Sequence, residues 1–375
     1  MSPPATPAAT AHARPPSEAD SAAPATWAVP ERQGRFEAWL YTLAPSYGLL
    51  LPSLRLASAD ASFRRYLRLD STAGGSYIVM DAPPEKENSE PFVRIGKLMA
   101  AAGVRVPALF EWNQTDGFLL LEDLGSRTMI DALETEPTQA NQALFVQALE
   151  PLLAWQLASK PGVLPPYDRA LLMRELQLFP DWYIERHRAI TLDAGQRANL
   201  DAVFERILAH NLASPCVYVH RDFMPRNLML AQAPGDLVPR LAVLDFQDAV
   251  YGPISYDIAS LMRDAFISWD EEFVLDISVR YWQKARAAGL PVDADFADFY
   301  RSVEWMGLQR HLKIAGIFAR LSLRDGKPKY LADTPRFIAY IRATCARYRE
   351  LGPLLRLLDQ VESVQAARGY AFGRV

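Results

Sequence analysis

The residue types best suited to chemistry lie on one short segment. Asn227 directly precedes a strand-like stretch at 228–230, and Asp245 directly follows another at 241–244. Because turn residues separate the two stretches, we expect an antiparallel hairpin that returns both side chains to the same end. One carboxylate and one amide oxygen, completed by water and substrate phosphates, are the usual ligands of Mg²⁺. The segment therefore predicts a magnesium site at Asn227 and Asp245.

A further carboxylate lies on the loop that leads into this hairpin. His220 and Asp222 precede Asn227, so we expect Asp222 to reach whatever binds beside the metal. A carboxylate in that position can accept a proton from an attacking hydroxyl group. The alternative is a buried hairpin whose polar residues only cap turns.

The elements before this segment predict a small sheet with a helix packed on it. A helical pattern covers 31–43 and is expected to end at Pro45. Strand-like stretches follow at 64–69 and 76–80, joined by a turn at 70–75 whose glycines allow positive φ. The remaining predicted elements are a helix at 92–102 and strands at 109–112 and 118–121.

The residues after Gly125 predict a second, mainly helical part, because apolar residues recur at three- and four-residue steps. The predicted helices cover 141–158, 170–187, 194–211, a stretch that ends near 265, 270–288, 294–320 and 334–350. A chain of 375 residues also exceeds the size at which a single core stops growing. We therefore expect an α+β fold of two lobes.

Composition excludes several classes of protein. The net charge of −4 gives no strong basic field for a nucleic acid or an anionic membrane. The two cysteines cannot form a disulfide framework. The first 26 or so residues are rich in Ala, Pro, Ser and Thr, which predicts a disordered tail and not a signal peptide. With no long apolar run, the expected location is the cytoplasm.

The pattern His220-x-Asp222-x4-Asn227, followed by Asp245, resembles the catalytic loop and metal-binding aspartate of the aminoglycoside phosphotransferase and choline kinase superfamily. The resemblance implies a protein-kinase-like fold with ATP and Mg²⁺ in the cleft between the lobes. It makes Asp222 the catalytic base and Asn227 and Asp245 the metal ligands. His220 would hold the loop, and Asp257 would support it from beneath, with a helix cap as the alternative.

The same resemblance sets the domain boundaries and the nucleotide site. The expected boundaries are a tail at 1–30, a nucleotide-binding lobe at 31–124, a catalytic lobe at 125–360 and a tail at 361–375. By position alone, the phosphate-covering loop corresponds to Ser62, Phe63, Arg64 and Arg65, although an ordinary turn is the alternative. Glu122 and Leu124 fall in the linker whose backbone meets adenine in the superfamily.

One departure from the superfamily concerns the strand 76–81, which has no lysine to pair with the nucleotide phosphates. Arg65, Arg68 or Lys86 could supply that charge. The departure also leaves open a noncatalytic nucleotide-binding protein. Against this alternative, the residues expected to act as base and metal ligands are all present.

Three stretches, 219–229, 244–253 and 306–313, are most similar to kinases of cell-wall recycling that phosphorylate C1 of N-acetylmuramic acid and N-acetylglucosamine. Arg310 and Lys313 could bind the lactyl carboxylate of such a sugar, with a solvated basic helix face as the alternative. Asp181 and Trp182 could form a sugar-binding wall, with helix core as the alternative. An aminoglycoside, choline or other small-alcohol kinase, and a helical interaction module, remain open.

Overall fold

The computed structural model describes residues 26–27, 29–59, 63–231 and 240–363. Contacts between Cα atoms divide the chain into two compact units. The first comprises Met1–Thr138 and Leu228–Gln247, and the second comprises Gln139–Asn227 and Asp248–Val375. The hairpin at 228–247 thus groups with the first unit, whereas the sequence boundaries 31–124 and 125–360 place it with the helices. Those boundaries stay a prediction.

The first unit contains a five-stranded antiparallel sheet with strand order β1-β2-β3-β5-β4. The strands are β1 (Arg55–Ala59), β2 (Arg65–Asp70), β3 (Ser76–Asp81), β4 (Leu109–Asn113) and β5 (Phe118–Glu122). The four predicted strands are present. The sequence did not indicate β1, because it is short and a register shift between Leu56 and Ser58 interrupts its alternation.

Helix α1 (Pro30–Tyr47) covers this sheet. Phe36 and Leu40 on α1 pack in one core cluster with Leu67, Val79 and Phe118 of the sheet. The prediction that the helix ends at Pro45 was wrong. A proline in the last turn costs one backbone hydrogen bond, and the helix ends instead where Gly48 adopts a left-handed φ of 61°.

Two more helices and a hairpin complete the first unit. They are α2 (Glu90–Ala101), α3 (Met129–Ala132) and the pair formed by β7 (Leu228–Ala231) and β8 (Arg240–Val243). The hairpin is antiparallel with Leu228 opposite Val243, as the sequence predicted. Each strand of the hairpin makes a backbone hydrogen bond to another part of this unit. The Leu230 amide of β7 donates to the Arg127 carbonyl at 2.9 Å, and the Val243 amide of β8 donates to the Arg105 carbonyl at 2.8 Å.

The second unit is mainly helical. Its helices are α4 (Gln139–Leu157), α5 (Arg169–Leu176), α6 (Ala194–Ala213), α7 (Ser255–Met262), α8 (Glu271–Ala287), α9 (Phe296–Leu323), α10 (Thr334–Arg347) and α11 (Gly352–Val361). A two-stranded antiparallel sheet pairs β6 (Cys216–Val219) with β9 (Val250–Pro253). Short 3₁₀ turns lie at Pro225–Asn227, Pro328–Asp333 and Arg349–Leu351 in this unit, and at Leu51–Ser53 in the first. Within the described residues, none of these helices has the length and apolarity to span a membrane.

The predicted single helix at 170–187 is wrong. The structure has α5 over Arg169–Leu176, followed by a π-helical segment at Phe179–His187. Pro180 has no amide hydrogen to donate, so the regular i→i−4 ladder is interrupted there. This π-helical segment packs against α9, where Gly316 faces the carbonyl oxygen of Leu178.

Candidate active site

The predicted catalytic loop follows β6 in the second unit. It runs from His220 to Asn227 and closes with the 3₁₀ turn Pro225–Asn227. The Asn227 side-chain amide donates to the Asp222 carbonyl oxygen at 2.9 Å, and its backbone amide donates to Met224 at 2.8 Å. Because the amide nitrogen of Asn227 is the donor in this bond, its oxygen is the atom suited to a cation. The loop therefore orients Asn227 through its own backbone.

Asp257 holds the start of this loop. It lies on α7, is fully buried, and accepts hydrogen bonds from the backbone amides of His220 at 2.7 Å and Arg221 at 3.0 Å. Burial raises the pKa of Asp257 to about 7, although these two hydrogen bonds act in the opposite direction. The structure thus places Asp257 in contact with the loop.

Arg221 precedes the candidate base and has a left-handed φ of 78°. Such a backbone is strained for a residue with a side chain, so it persists only where neighbours hold it. Three groups do so here. Asp257 accepts from its amide at 3.0 Å, Arg310 donates to its carbonyl at 2.6 Å, and Glu175 accepts from its guanidinium at 2.6 Å. These contacts fix the direction in which Asp222 leaves the backbone.

Cations surround Asp222. Burial alone would raise the pKa of its carboxyl group, but the charges of Lys313, Arg310 and Arg221 hold that pKa below its ordinary value. The carboxylate is therefore ionised at neutral pH and able to accept a hydrogen bond or a proton. Its backbone amide also donates to Nδ1 of His220 at 3.2 Å, which ties the buried imidazole into the loop.

Asp245 follows β8 in the first unit and also has a positive φ, 62°. Its carboxylate accepts a hydrogen bond from the Gln247 side chain at 2.8 Å. The next residue, Phe246, stacks on Phe92 of α2 with ring centroids 4.9 Å apart, and Gly96 on the same helix leaves room for that ring. Packing of Phe246 thus fixes the backbone that presents Asp245.

The two predicted metal ligands lie on different units, Asn227 on the second and Asp245 on the first. Taken each by itself, the amide oxygen of Asn227 and the carboxylate of Asp245 are oxygen donors of the type that Mg²⁺ prefers. Among residues 26–27, 29–59, 63–231 and 240–363, no cluster of three or more His, Cys, Asp or Glu side chains could hold a metal ion by itself.

The predicted nucleotide-binding residues lie in the first unit. Ser62 falls outside the described residues. Phe63 is exposed, Arg64 is buried and pairs with Glu87 at 3.3 Å, and Lys86 lies 5.0 Å from the Phe63 ring. At the other end of the sheet, Glu122 pairs with Arg105 at 2.8 Å. Leu124 packs against the hairpin with Met229 and Ala242.

A buried aspartate lies on the strand where a lysine was missing. Asp81 on β3 is paired with Arg32 of α1 and with Arg65 of β2. Arg68 pairs with Asp123 at 2.5 Å. The cations of this sheet are therefore bound by carboxylates on neighbouring elements. Sequence reasoning missed Arg32, because nothing local connects it to a residue 49 positions away.

The predicted substrate residues lie on two elements of the second unit. Arg310 and Lys313 on α9 are not on a solvated face: Arg310 is buried against the catalytic loop, and Lys313 pairs with Glu175 at 2.9 Å. Asp181 is exposed on the π-helical segment. Trp182 is half-buried, and the guanidinium group of Arg186 lies over its ring, 3.9 Å from the ring centroid. The neighbouring aromatics of that segment, Phe179 and Tyr183, are buried and stacked on each other.

Glu175 is the residue near this loop that sequence reasoning did not identify. It lies in the last turn of α5 and is buried with Leu172 and Leu176. A carboxylate on the apolar face of a short helix was the available signal, since buried charges require partners.

Comparison with known proteins finds relatives that cover most of the chain. Residues 53–291 match the profile of the phosphotransferase enzyme family. The N-acetylmuramate/N-acetylglucosamine kinase of Neisseria meningitidis serogroup B is 47% identical over 91% of this chain and 100% of that protein. The Pseudomonas aeruginosa protein of the same name is 48% identical over 84% of this chain and 91% of its own.

The fold is shared more widely than the sequence. An amicoumacin kinase solved in complex with AMP-PNP and Ca²⁺ superposes with a TM-score of 0.53 at 17% identity, over 82% of this chain and 94% of that chain. At that identity the likeness shows the fold alone. The predicted protein-kinase-like α+β fold is confirmed.

Proposed function

The chain belongs to the phosphotransferase enzyme family, and we propose that it is an ATP-dependent kinase of N-acetylated amino sugars. It transfers the γ-phosphoryl group to the anomeric hydroxyl of N-acetylmuramic acid or N-acetylglucosamine and gives the 1-phosphate and ADP. The observation that carries the proposal is the ionised, cation-flanked Asp222 on its anchored loop. The names of relatives 47% and 48% identical support the choice of sugar.

In this reaction Asp222 orients the anomeric hydroxyl and accepts its proton as the oxygen attacks phosphorus. Asn227 and Asp245 would hold Mg²⁺, which neutralises charge on the transferred phosphoryl group. Asp257 and His220 do not touch reactants; they keep the loop in place. The loop that carries Asp222 and Asn227 is anchored by contacts within the protein, so little reorganisation of these two residues is required at the moment of transfer.

The nucleotide is bound by residues of the first unit. We assign Arg64 and Arg65, with Ser62 and Phe63 beside them, to the phosphates, and the backbone of Glu122 to Leu124 to the adenine. Arg65 is half-buried in an ion pair with Asp81. Its side chain is therefore held in one orientation and loses less conformational entropy when a phosphate binds. Arg310 and Lys313 supply positive charge to an anionic sugar, with Asp181 and Trp182 as further sugar contacts.

The test is ADP release in the presence of Mg·ATP with N-acetylmuramic acid, N-acetylglucosamine, glucose, choline and kanamycin. We expect turnover with the two N-acetylated sugars, with ³¹P NMR identifying the 1-phosphate. Asp222→Asn should lower kcat by roughly 10²–10⁴-fold with little change in nucleotide affinity, because it removes the proton acceptor. Turnover with choline or kanamycin alone would contradict the proposed sugar. Unchanged kcat in the variant would contradict the assigned base.

A further inference from the structure

Glu175 binds three donors from three parts of the second unit. It accepts hydrogen bonds from the Tyr167 hydroxyl, from the Arg221 guanidinium at 2.6 Å and from the Lys313 ammonium at 2.9 Å. Its side chain is 7% exposed. Arg221 lies on the catalytic loop and Lys313 on α9, so one carboxylate joins the loop to the helix behind it.

The charge of Glu175 is needed where it lies. Burial alone would raise its pKa, but the charges of Lys313 and Arg221 hold that pKa below its ordinary value, so the group is a carboxylate. The two cations are themselves largely buried and require a counter-ion. Without the charge of Glu175, the cations Arg221, Arg310 and Lys313 would crowd around Asp222.

We propose that Glu175 is a positioning residue of the catalytic loop. By binding Arg221 it holds the left-handed backbone from which Asp222 projects, and by binding Lys313 it fixes the ammonium group whose charge acts on Asp222. Glu175 acts through these two residues and does not touch a reactant. This inference rests on the proposed function for its kinetic test, and on the loop alone for a second test.

The kinetic test uses a double-mutant cycle of Glu175→Gln, Lys313→Met and the double variant. Glu175→Gln keeps the shape and an acceptor oxygen but removes the charge. We expect kcat to fall about tenfold or more, with KM for Mg·ATP changed by less than about twofold. Because Glu175 acts partly through Lys313, the double variant should lose far less than the product of the two single losses.

A pH profile gives a readout that a purely structural role would not change. Burial alone would lower the pKa of Lys313, but the neighbouring Tyr256 and Glu175 hold it above its ordinary value. The other charged groups that act on it are Arg221 and Asp222 of the loop. Removing the charge of Glu175 lowers the pKa of Lys313. Activity of Glu175→Gln should therefore decline at alkaline pH values where the wild-type rate is level, and Lys313→Met should abolish that difference.

The matched control is Glu205→Gln. Glu205 is an exposed carboxylate of α6 that pairs with Arg169 at the start of α5. Its loss therefore breaks an exposed ion pair of α5, the helix that also carries Glu175. It should leave kcat, KM and the pH profile unchanged. If Glu175→Gln fails to fold, Tyr167→Phe is the second variant, because it removes one hydrogen-bond donor to Glu175 with almost no change in shape. It should lower kcat and shift the pH profile in the same direction, but by less.

The second test needs no substrate. Hydrogen exchange of the backbone amides of residues 216–227 should be faster in Glu175→Gln than in Glu205→Gln, because the loop loses an anchor. If the wild-type protein phosphorylates no sugar but this exchange difference appears, the proposed function fails and the positioning role stands. Equal exchange in the two variants, or a wild-type kcat and pH profile in Glu175→Gln, overturns the inference.

Discussion

The burial of Asp257 makes its protonation state depend on folding. Burial raises its pKa to about 7, far above that of a carboxyl group in an unfolded chain. The folded protein therefore binds a proton that the unfolded chain has released, and stability falls as pH rises towards and through the folded pKa. Half-buried His210 and buried His311 act in the opposite direction, because their pKa values are lowered to about 4 and about 3. Their effect makes stability rise with pH until the unfolded histidines have lost their protons, around and just above pH 6.5.

Between about pH 6.5 and pH 8, deprotonation of the unfolded histidines raises stability while loss of the Asp257 proton lowers it, so the two effects offset each other in the wild type. A comparison with Asp257→Asn isolates the effect of Asp257. We expect the free energy of unfolding of the wild type, taken relative to that of Asp257→Asn, to fall by about 1 kcal/mol over this range. Urea denaturation of both proteins at several pH values measures this difference. His210→Gln is the control, because it keeps Asp257 and should show the same fall relative to the double variant with Asp257→Asn. A difference between wild type and Asp257→Asn that does not change from pH 6.5 to pH 8 would show that Asp257 is ionised throughout.

The sequence predicted the residues whose partners are close in the chain. His220, Asp222 and Asn227 share one loop, and the hairpin argument needed only a turn between two strands. Glu175 and Arg32 were not predicted, because their partners lie far along the chain. Glu175 on α5 pairs with Lys313 on α9, and Arg32 on α1 pairs with Asp81 on β3. The apolar periodicity of α5 and α1 does not indicate either ion pair.

At the scale of elements, the π-helical segment shows how one glycine allows two helices to approach. Gly316 lies in the interior of α9, where glycine is unfavourable for a helix. A Cβ added there would overlap the backbone carbonyl of Leu178, just before the π-helical segment. The close packing of α9 against Phe179–His187 therefore requires a residue without a side chain at position 316.

Gly316→Ala should destabilise the protein by about 1–3 kcal/mol, the usual result of overpacking a core, despite the higher helix propensity of alanine. Gly34→Ala is the matched control, because Gly34 also lies inside a helix, is exposed and has open space around it. That variant should be stabilised by about 0.5–1 kcal/mol. Chemical denaturation measures the free energy of unfolding of both variants. Equal gains in stability would mean that Leu178 moves aside without cost.

Element types were easier to predict than element ends. The strands joined by Gly74 and Gly75 were predicted because a turn with positive φ leaves a clear local signal. The end of α1 and the break after α5 were not, since each depends on how one proline is accommodated. β9 was missed because its four residues become a strand only through pairing with β6.

At the scale of the whole molecule, the residues assigned to one reaction are distributed over two compact units. The catalytic loop belongs to the second unit, and the hairpin that ends before Asp245 belongs to the first. Length, composition and the change from strand to helix patterns predicted two parts of this character. The grouping of the hairpin with the sheet could not be predicted, because it depends on backbone bonds from β7 and β8 to Arg127 and Arg105.

A ligand that binds only the folded protein raises its stability by mass action, by about 2.7 kcal/mol at 100 times the dissociation constant. If Asn227 and Asp245 hold Mg²⁺ beside the nucleotide phosphates, AMP-PNP should raise the melting temperature strongly with Mg²⁺ and weakly with EDTA. Asp245→Asn should reduce the Mg²⁺-dependent part of that shift, because a neutral amide attracts the cation less than a carboxylate. Asp201→Asn, at a half-exposed carboxylate of α6 paired with Arg197, should keep the full shift. The same stabilisation with and without Mg²⁺ would mean that the nucleotide binds through the arginines of the sheet alone, and that Asp245 has no part in holding a metal.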